Sequence, residues 1–194
     1  MGTVVGVDLG ATHLHVAVIA GDDVEVRTTT AIEDVVEWCG GAHAIGIDAP
    51  SDPATGRVHD GARSQKFAVA RCNEIAAGEQ LGVWVPWVTP TLTDAPPWMQ
   101  TGFTLWRALR DAGHSPMEVY PAGSFWLLNG RRWPPKKQTP EGRAARLALL
   151  GLDLPLTSHD HIDAVMAAVV ARGPHRAVGH TDPGCDDSVL WVLV

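Results

Sequence analysis

Val4-Val5-Gly6-Val7-Asp8-Leu9 and Ala44-Ile45-Gly46-Ile47-Asp48 are two short apolar runs, each carrying an aspartate at its C-terminal end. Such near-continuous apolar runs suit strands buried on both faces. If the two strands are parallel neighbours, Asp8 and Asp48 emerge at the same sheet edge. Near the C-terminus, Asp160 and Asp163 open a helical segment and lie three residues apart, on one helix face. Distant parts of the chain can therefore converge on one cluster of carboxylates. Acids meeting in a folded core require a cation, a donor network or a raised pKa, and magnesium or manganese is the simplest partner for oxygen ligands.

Between and beyond these runs the pattern predicts a mixed α/β sheet. Leu14 to Ile19 is apolar, Val24 to Thr28 alternates like an edge strand, and Gly10 and Gly21-Asp22 supply turns. Thr30 and Glu33 are spaced as a capping box before a helical stripe of Ile32, Val35 and Val36 that stops at Gly40-Gly41. A meander joined through a helix to a further strand gives a mixed sheet. Helices are expected over Arg63 to Ala77, Phe103 to Ala112, Ser124 to Leu128 and Glu141 to Leu150, with a short strand at Glu118-Val119-Tyr120. Trp84 to Trp98, with Pro86, Pro90, Pro96 and Pro97, reads as a long loop or lid. The acidic helix has Thr157 or Ser158 as its cap, a large apolar stripe of Ile162, Val165, Met166, Val169 and Val170, and a small one containing Ala164, Ala167 and Ala168. That second stripe lets the helix approach the sheet closely. Val189 to Val194 is expected as a last strand, with an edge available for pairing.

The composition suits one domain: 194 residues, 45% hydrophobic, suffice for a core without staples. Cys39, Cys72 and Cys185 form no CxxC pair and are compatible with a reducing compartment, so neither a disulfide scaffold nor a zinc ribbon is expected. With no basic leader and no long apolar stretch, a cytoplasmic protein without a membrane partner is the expectation. The net charge of -7 argues against nonspecific coating of nucleic acid. Locally the balance reverses, because Arg131, Arg132, Lys136, Lys137, Arg143 and Arg146 fall close together. They form either a solvated helix with its preceding loop or a phosphate-tracking face.

In two-metal phosphoryl hydrolysis, carboxylates hold cations about 3.5 to 4 Å apart. Asp8 is the candidate bridging ligand, Asp48 the ligand of one metal, and Asp160 or Asp163 of the other. Asp160 also suits the helix dipole at a first turn, and Asp8 and Asp48 also fit turn-opening roles beside Gly10 and Pro50. His13 with His15, and His159 with His161, allow a general base or a histidine metal site. Trp84, Trp87 and Trp98 fit either loop packing or base stacking. Lys137 and Arg146 flank a helix start where a phosphate would sit.

The ordered set Val5-Gly-Val-Asp8, Ile45-Gly-Ile-Asp48-Ala-Pro50, Glu118-Val-Tyr-Pro121, Lys137 with Glu141-Gly-Arg143 and Arg146, and Asp160-His-Ile-Asp163-Ala164 resembles domain-of-unknown-function family 429. The resemblance spans nearly the whole chain. It implies an RNase H-like mixed five-stranded sheet flanked by helices, with an additional C-terminal strand. It also implies a nuclease, with Asp8, Asp48, Asp160 and Asp163 as its acids on magnesium or manganese and nucleic acid as its partner. Glu118 belongs to the family pattern and joins Lys137 and Arg146 as a candidate substrate contact. The chain departs from the pattern at Arg71-Cys72-Asn73-Glu74, where an acid is expected directly after the cysteine.

Two other classes compete. Asp8-Leu-Gly-Ala-Thr-His13 also resembles the phosphate-binding turn of actin-like kinases, although those normally need two such domains and no Walker motif is present. A noncatalytic binding module with structural acids is the third.

Overall fold

The computed structural model describes residues 2–55, 70–156, 158–179, 185 and 188–193. Five strands build the main sheet: β1 (Val4–Leu9), β2 (Leu14–Ala20), β3 (Asp23–Thr29), β4 (Ala44–Asp48) and β5 (Met117–Glu118), in the order β3-β2-β1-β4-β5. β1, β2 and β3 form an antiparallel meander, whereas β4 runs parallel to β1 and β5 parallel to β4. Between β3 and β4 the chain crosses over through α1 (Ile32–Trp38). This strand order with helices on both faces is the RNase H-like arrangement.

Alternation along each strand assigns its two faces. Val5, Val7, Ile45 and Ile47 pack on Val35 of α1 and on Leu105, Trp106 and Leu109 of α3 (Pro97–Asp111). On the opposite face, Val4, Ala17 and Ile19 meet Ala164, Val165 and Ala168 of α6 (His159–Arg172). The glycines of β1 and β4 also face α6. A Cβ at Gly6 would lie 2.0 Å from the Ala164 carbonyl oxygen, and one at Gly46 2.3 Å from that of Ala167. The expected small stripe is therefore in direct contact with the sheet, and helix backbone touches strand backbone.

The remaining helices are α2 (Cys72–Ala76), which continues into a π-helical turn at Ala77–Leu81, α4 (Pro121–Leu128) and α5 (Pro140–Leu150). Gly151, in the left-handed region, ends α5. A hairpin of β6 (His175–Val178) and β7 (Leu190–Leu193) stands beside the sheet, joined through a parallel bridge from Trp191 to Val119. The last strand is thus paired, and its partner β6 carries no apolar alternation that would announce it.

Two expectations change. The Thr30–Glu33 capping box does not form: the N-cap is Ala31, and Thr29 instead holds Asp34 through a 2.5 Å hydrogen bond. Cys72 and Cys185 are joined in a disulfide across 113 residues, while Cys39 is free and buried. Sequence spacing hides that pair because the fold alone brings α2 and the C-terminal segment together. Ser158 caps α6, and Thr157 and residues 63–69 of the expected helix lie outside the described residues. Among the described residues no helix is long and apolar enough to cross a membrane.

Candidate metal centre

Asp8 and Asp48 are direct register partners at the ends of β1 and β4. Both lie two residues beyond the glycines that face α6, so both carboxyls leave the sheet on the helix side. One residue before Ala164 and one turn before Ala167, Asp163 meets them there. One carboxylate oxygen of each of Asp8, Asp48 and Asp163 lies within 4.8 Å of the others. Asp8 and Asp163 are buried and Asp48 is partly so.

Burial raises all three pKa values, and the acids reinforce one another. Asp8 is held well above the usual carboxylate range, first by burial and then by Asp48 and Asp163. Asp48 is raised to about 7 by burial and Asp163, with Lys137 and hydrogen bonding to Asp8 opposing. Asp163 is raised by burial, with Lys137 opposing. The Lys137 ammonium stands 2.5 Å from Asp163 Oδ2. Burial acts to lower its pKa, but Asp163, Asp8 and Asp48 outweigh it and leave it raised. When all are ionised, three carboxylates and one ammonium carry two uncompensated negative charges, which is what one divalent cation cancels. The donor set, all oxygen, suits magnesium or manganese.

This electrostatic arrangement predicts a pH effect on stability. A carboxyl whose folded pKa lies above its unfolded value, 3.8 for Asp48, stabilises the fold below that value and loses the contribution as pH rises through about 7. In a chelator the melting temperature should fall between about pH 4 and pH 7, and the loss should be smaller in Asp48→Asn. Saturating magnesium should flatten the wild-type slope. Equal slopes for wild type and variant in chelator would show that Asp48 is not protonated in the fold.

Asp160 stands apart from this cluster. Its carboxylate faces His159 at 2.7 Å and His15 at 3.7 Å. His15 and His161 share the Thr28 hydroxyl, at 3.1 and 2.8 Å, and their rings meet edge to face. His13 is engaged by Thr12. The four histidines thus gather at the β2 and β3 side of α6, beside the carboxylate trio rather than in it.

Arg146 is buried rather than on a solvated helix face. It donates to the Pro135 and Gly142 carbonyls and lies over the Phe125 ring. Its hydrogen bonds strap the loop that carries Lys137. At Gly142 a Cβ would meet the Lys136 oxygen at 1.9 Å, so the same loop presses on the start of α5.

Glu118 belongs to a second buried network. Arg71 donates to both its oxygens, one at 2.9 Å, and the Ser51 amide donates at 2.8 Å. Glu74 accepts from the Thr89 amide and hydroxyl and lies 3.5 Å from Arg71. The displaced acid after Cys72 is therefore anchored, and Thr89 ties the proline-rich loop to α2. One-sided removal of a buried ion pair costs roughly 3–5 kcal/mol. Arg71→Ala, which strands Glu118 and Glu74 together, should cost at least that in urea unfolding. A loss below about 1 kcal/mol would mean that water or another cation replaces the guanidinium. Glu74 lies only three residues from Arg71, but nothing in the sequence near Arg71 signals Glu118, which lies 47 residues away.

Both networks border one cavity of about 400 Å³. Asp8, Asp48, Asp163 and Lys137 line it together with Val85, Trp87, Trp98, Met99 and Tyr120.

A family model described as "Protein of unknown function (DUF429)" matches residues 6–184. No curated protein matches the chain. Two structures of RuvC from Thermus thermophilus are similar over 86% of this chain. The one in complex with a Holliday junction substrate is 15% identical, covers 90% of that chain and has a TM-score of 0.43. The other is 17% identical, covers 91% and has the same TM-score. The fold assignment rests on strand order and register, which are independent of these likenesses.

Proposed function

The chain belongs to the DUF429 family, and we propose that it is a divalent-metal-dependent nuclease that hydrolyses phosphodiester bonds at Asp8, Asp48 and Asp163. One observation carries this reading: three desolvated carboxylates converge within 4.8 Å beside a lysine, on the wall of a cavity of about 400 Å³. Structural acids alone would gain nothing from such crowding, since each raises the pKa of its neighbours. Bound magnesium or manganese supplies an activated water and a counter-charge for the leaving oxygen.

The protein's own groups divide the remaining work. Asp8, Asp48 and Asp163, whose carboxylate oxygens lie within 4.8 Å of one another, would hold the metal together. Lys137 neutralises Asp163 and presents its ammonium to a phosphate oxygen. Arg146 holds the lysine loop in place, and Asp160 with His15 and His159 adds a second polar layer. Nucleic acid is chosen as substrate from the fold, by analogy. In this reading the RNase H-like unit extends over residues 1–194, with 84–98 as its lid.

The test is cleavage of labelled DNA, RNA, hybrid and junction substrates in manganese, beside Asp8→Asn and Asp163→Asn. Wild type should cut at least one substrate and both variants should not. Cutting that survives both substitutions would assign the activity to another site.

A further inference from the structure

The cavity does not end at the carboxylates. Besides Asp8, Asp48 and Asp163 its lining includes Val85, Met99, Phe125 and Leu190 together with Arg71, Glu74 and Glu118, and its volume of about 400 Å³ suits a small ligand. Phosphate hydrolysis alone does not account for the apolar part of that lining.

One further observation indicates what lies against this apolar lining. Trp87 is 70% exposed while also bordering the cavity. A large aromatic face left in water at a cavity mouth suits stacking by a flat ring. Its loop is not free to drift, because Thr89, two residues on, is bonded to buried Glu74.

A flat ring with polar edges, attached to a phosphate, is a nucleotide. Resting on the hydrolase reading above, we propose that the site admits one unstacked nucleotide: its phosphate lies at the carboxylates and Lys137, and its base stacks on Trp87. A base within an intact duplex is stacked on both sides and cannot reach Trp87 unless it is displaced. The preferred substrate is therefore a bulge, flap, single strand or free nucleotide, not continuous duplex.

The full chain would be tested in two arms. In the first, the four nucleoside 5′-monophosphates are titrated calorimetrically in manganese against wild type and Trp87→Ala. In the second, a blunt duplex, the same duplex with one bulged nucleotide, and the corresponding single strand are cleaved in parallel by both proteins. At least one monophosphate should bind, with affinity reduced about tenfold by Trp87→Ala, as expected for a lost stacking contact. Bulged and single-stranded substrates should be cut at least about tenfold faster than blunt duplex, and Trp87→Ala should narrow that ratio. Monophosphate binding without cleavage of any strand would assign the site to free nucleotides and defeat the nuclease reading alone. Equal cutting of bulged and blunt duplex would leave the nuclease and overturn the stacked nucleotide. So would monophosphate affinity that Trp87→Ala leaves unchanged.

Discussion

Gly6→Ala is expected to unfold the protein or to cost it upwards of about 4 kcal/mol, a large share of a typical domain's stability. The added Cβ would lie 2.0 Å from the Ala164 oxygen, 2.3 Å from the Ala168 nitrogen and 2.9 Å from its Cα. All three are helix backbone atoms. No rotamer change relieves the contact, so α6 must lift from the sheet as a body and lose the packing of Ala164, Val165 and Ala168 on Val4, Ala17 and Ile19. Gly46→Ala meets the Ala167 oxygen at 2.3 Å and the Val119 side chain at 2.9 Å and should behave similarly. Displacement of the helix also carries Asp163 away from Asp8 and Asp48, so any folded remnant should lose metal affinity. Thermal melting and near-ultraviolet circular dichroism read the first effect, and manganese titration the second. A Gly6→Ala protein within about 1 kcal/mol of wild type would mean that α6 does not touch β1 backbone to backbone.

Asp8→Asn should separate activity from stability. The amide keeps the shape of the carboxylate but cannot carry its charge, and Asp8 has both other acids as close neighbours. Nuclease turnover should fall about a thousandfold or more, equivalent to ~4 kcal/mol of transition-state stabilisation. In chelator at neutral pH the same variant should melt higher than wild type, because a buried acid that repels Asp48 and Asp163 has been replaced by a neutral group. Opposite signs in the two assays identify a functional acid. Lower activity with a lower melting temperature would instead identify Asp8 as a structural turn residue.

Much of this site is legible from residue order. The alternation of Val4-Val5-Gly6-Val7-Asp8 already places Gly6 and Asp8 on one face, and Ala44 to Asp48 repeats it. The helical spacing of Ala164, Ala167 and Ala168 identifies a face without bulk, and Asp163 adjoins it. Lys137 stands out in the sequence by its place before a helix, and in the fold it pairs with Asp163. Less was visible at Asp160, since two acids three apart share a helix face by spacing alone. Only the angle of α6 over the sheet separates the one that reaches the strands from the one that meets His15 and His159. Arg146 had the pattern of a solvated cation, and its burial follows from a loop folding back over α5.

Local periodicity thus determined the strands, the acidic helix and the sheet face on which the acids emerge, because side-chain direction within an element depends only on the backbone repeat. Strand order, the Cys72–Cys185 bond, the Arg71–Glu118–Glu74 network and the cavity that joins them to the carboxylates were decided by tertiary structure. These features join residues far apart in the chain, whose meeting is set by how whole elements pack. No repeat along the sequence encodes it.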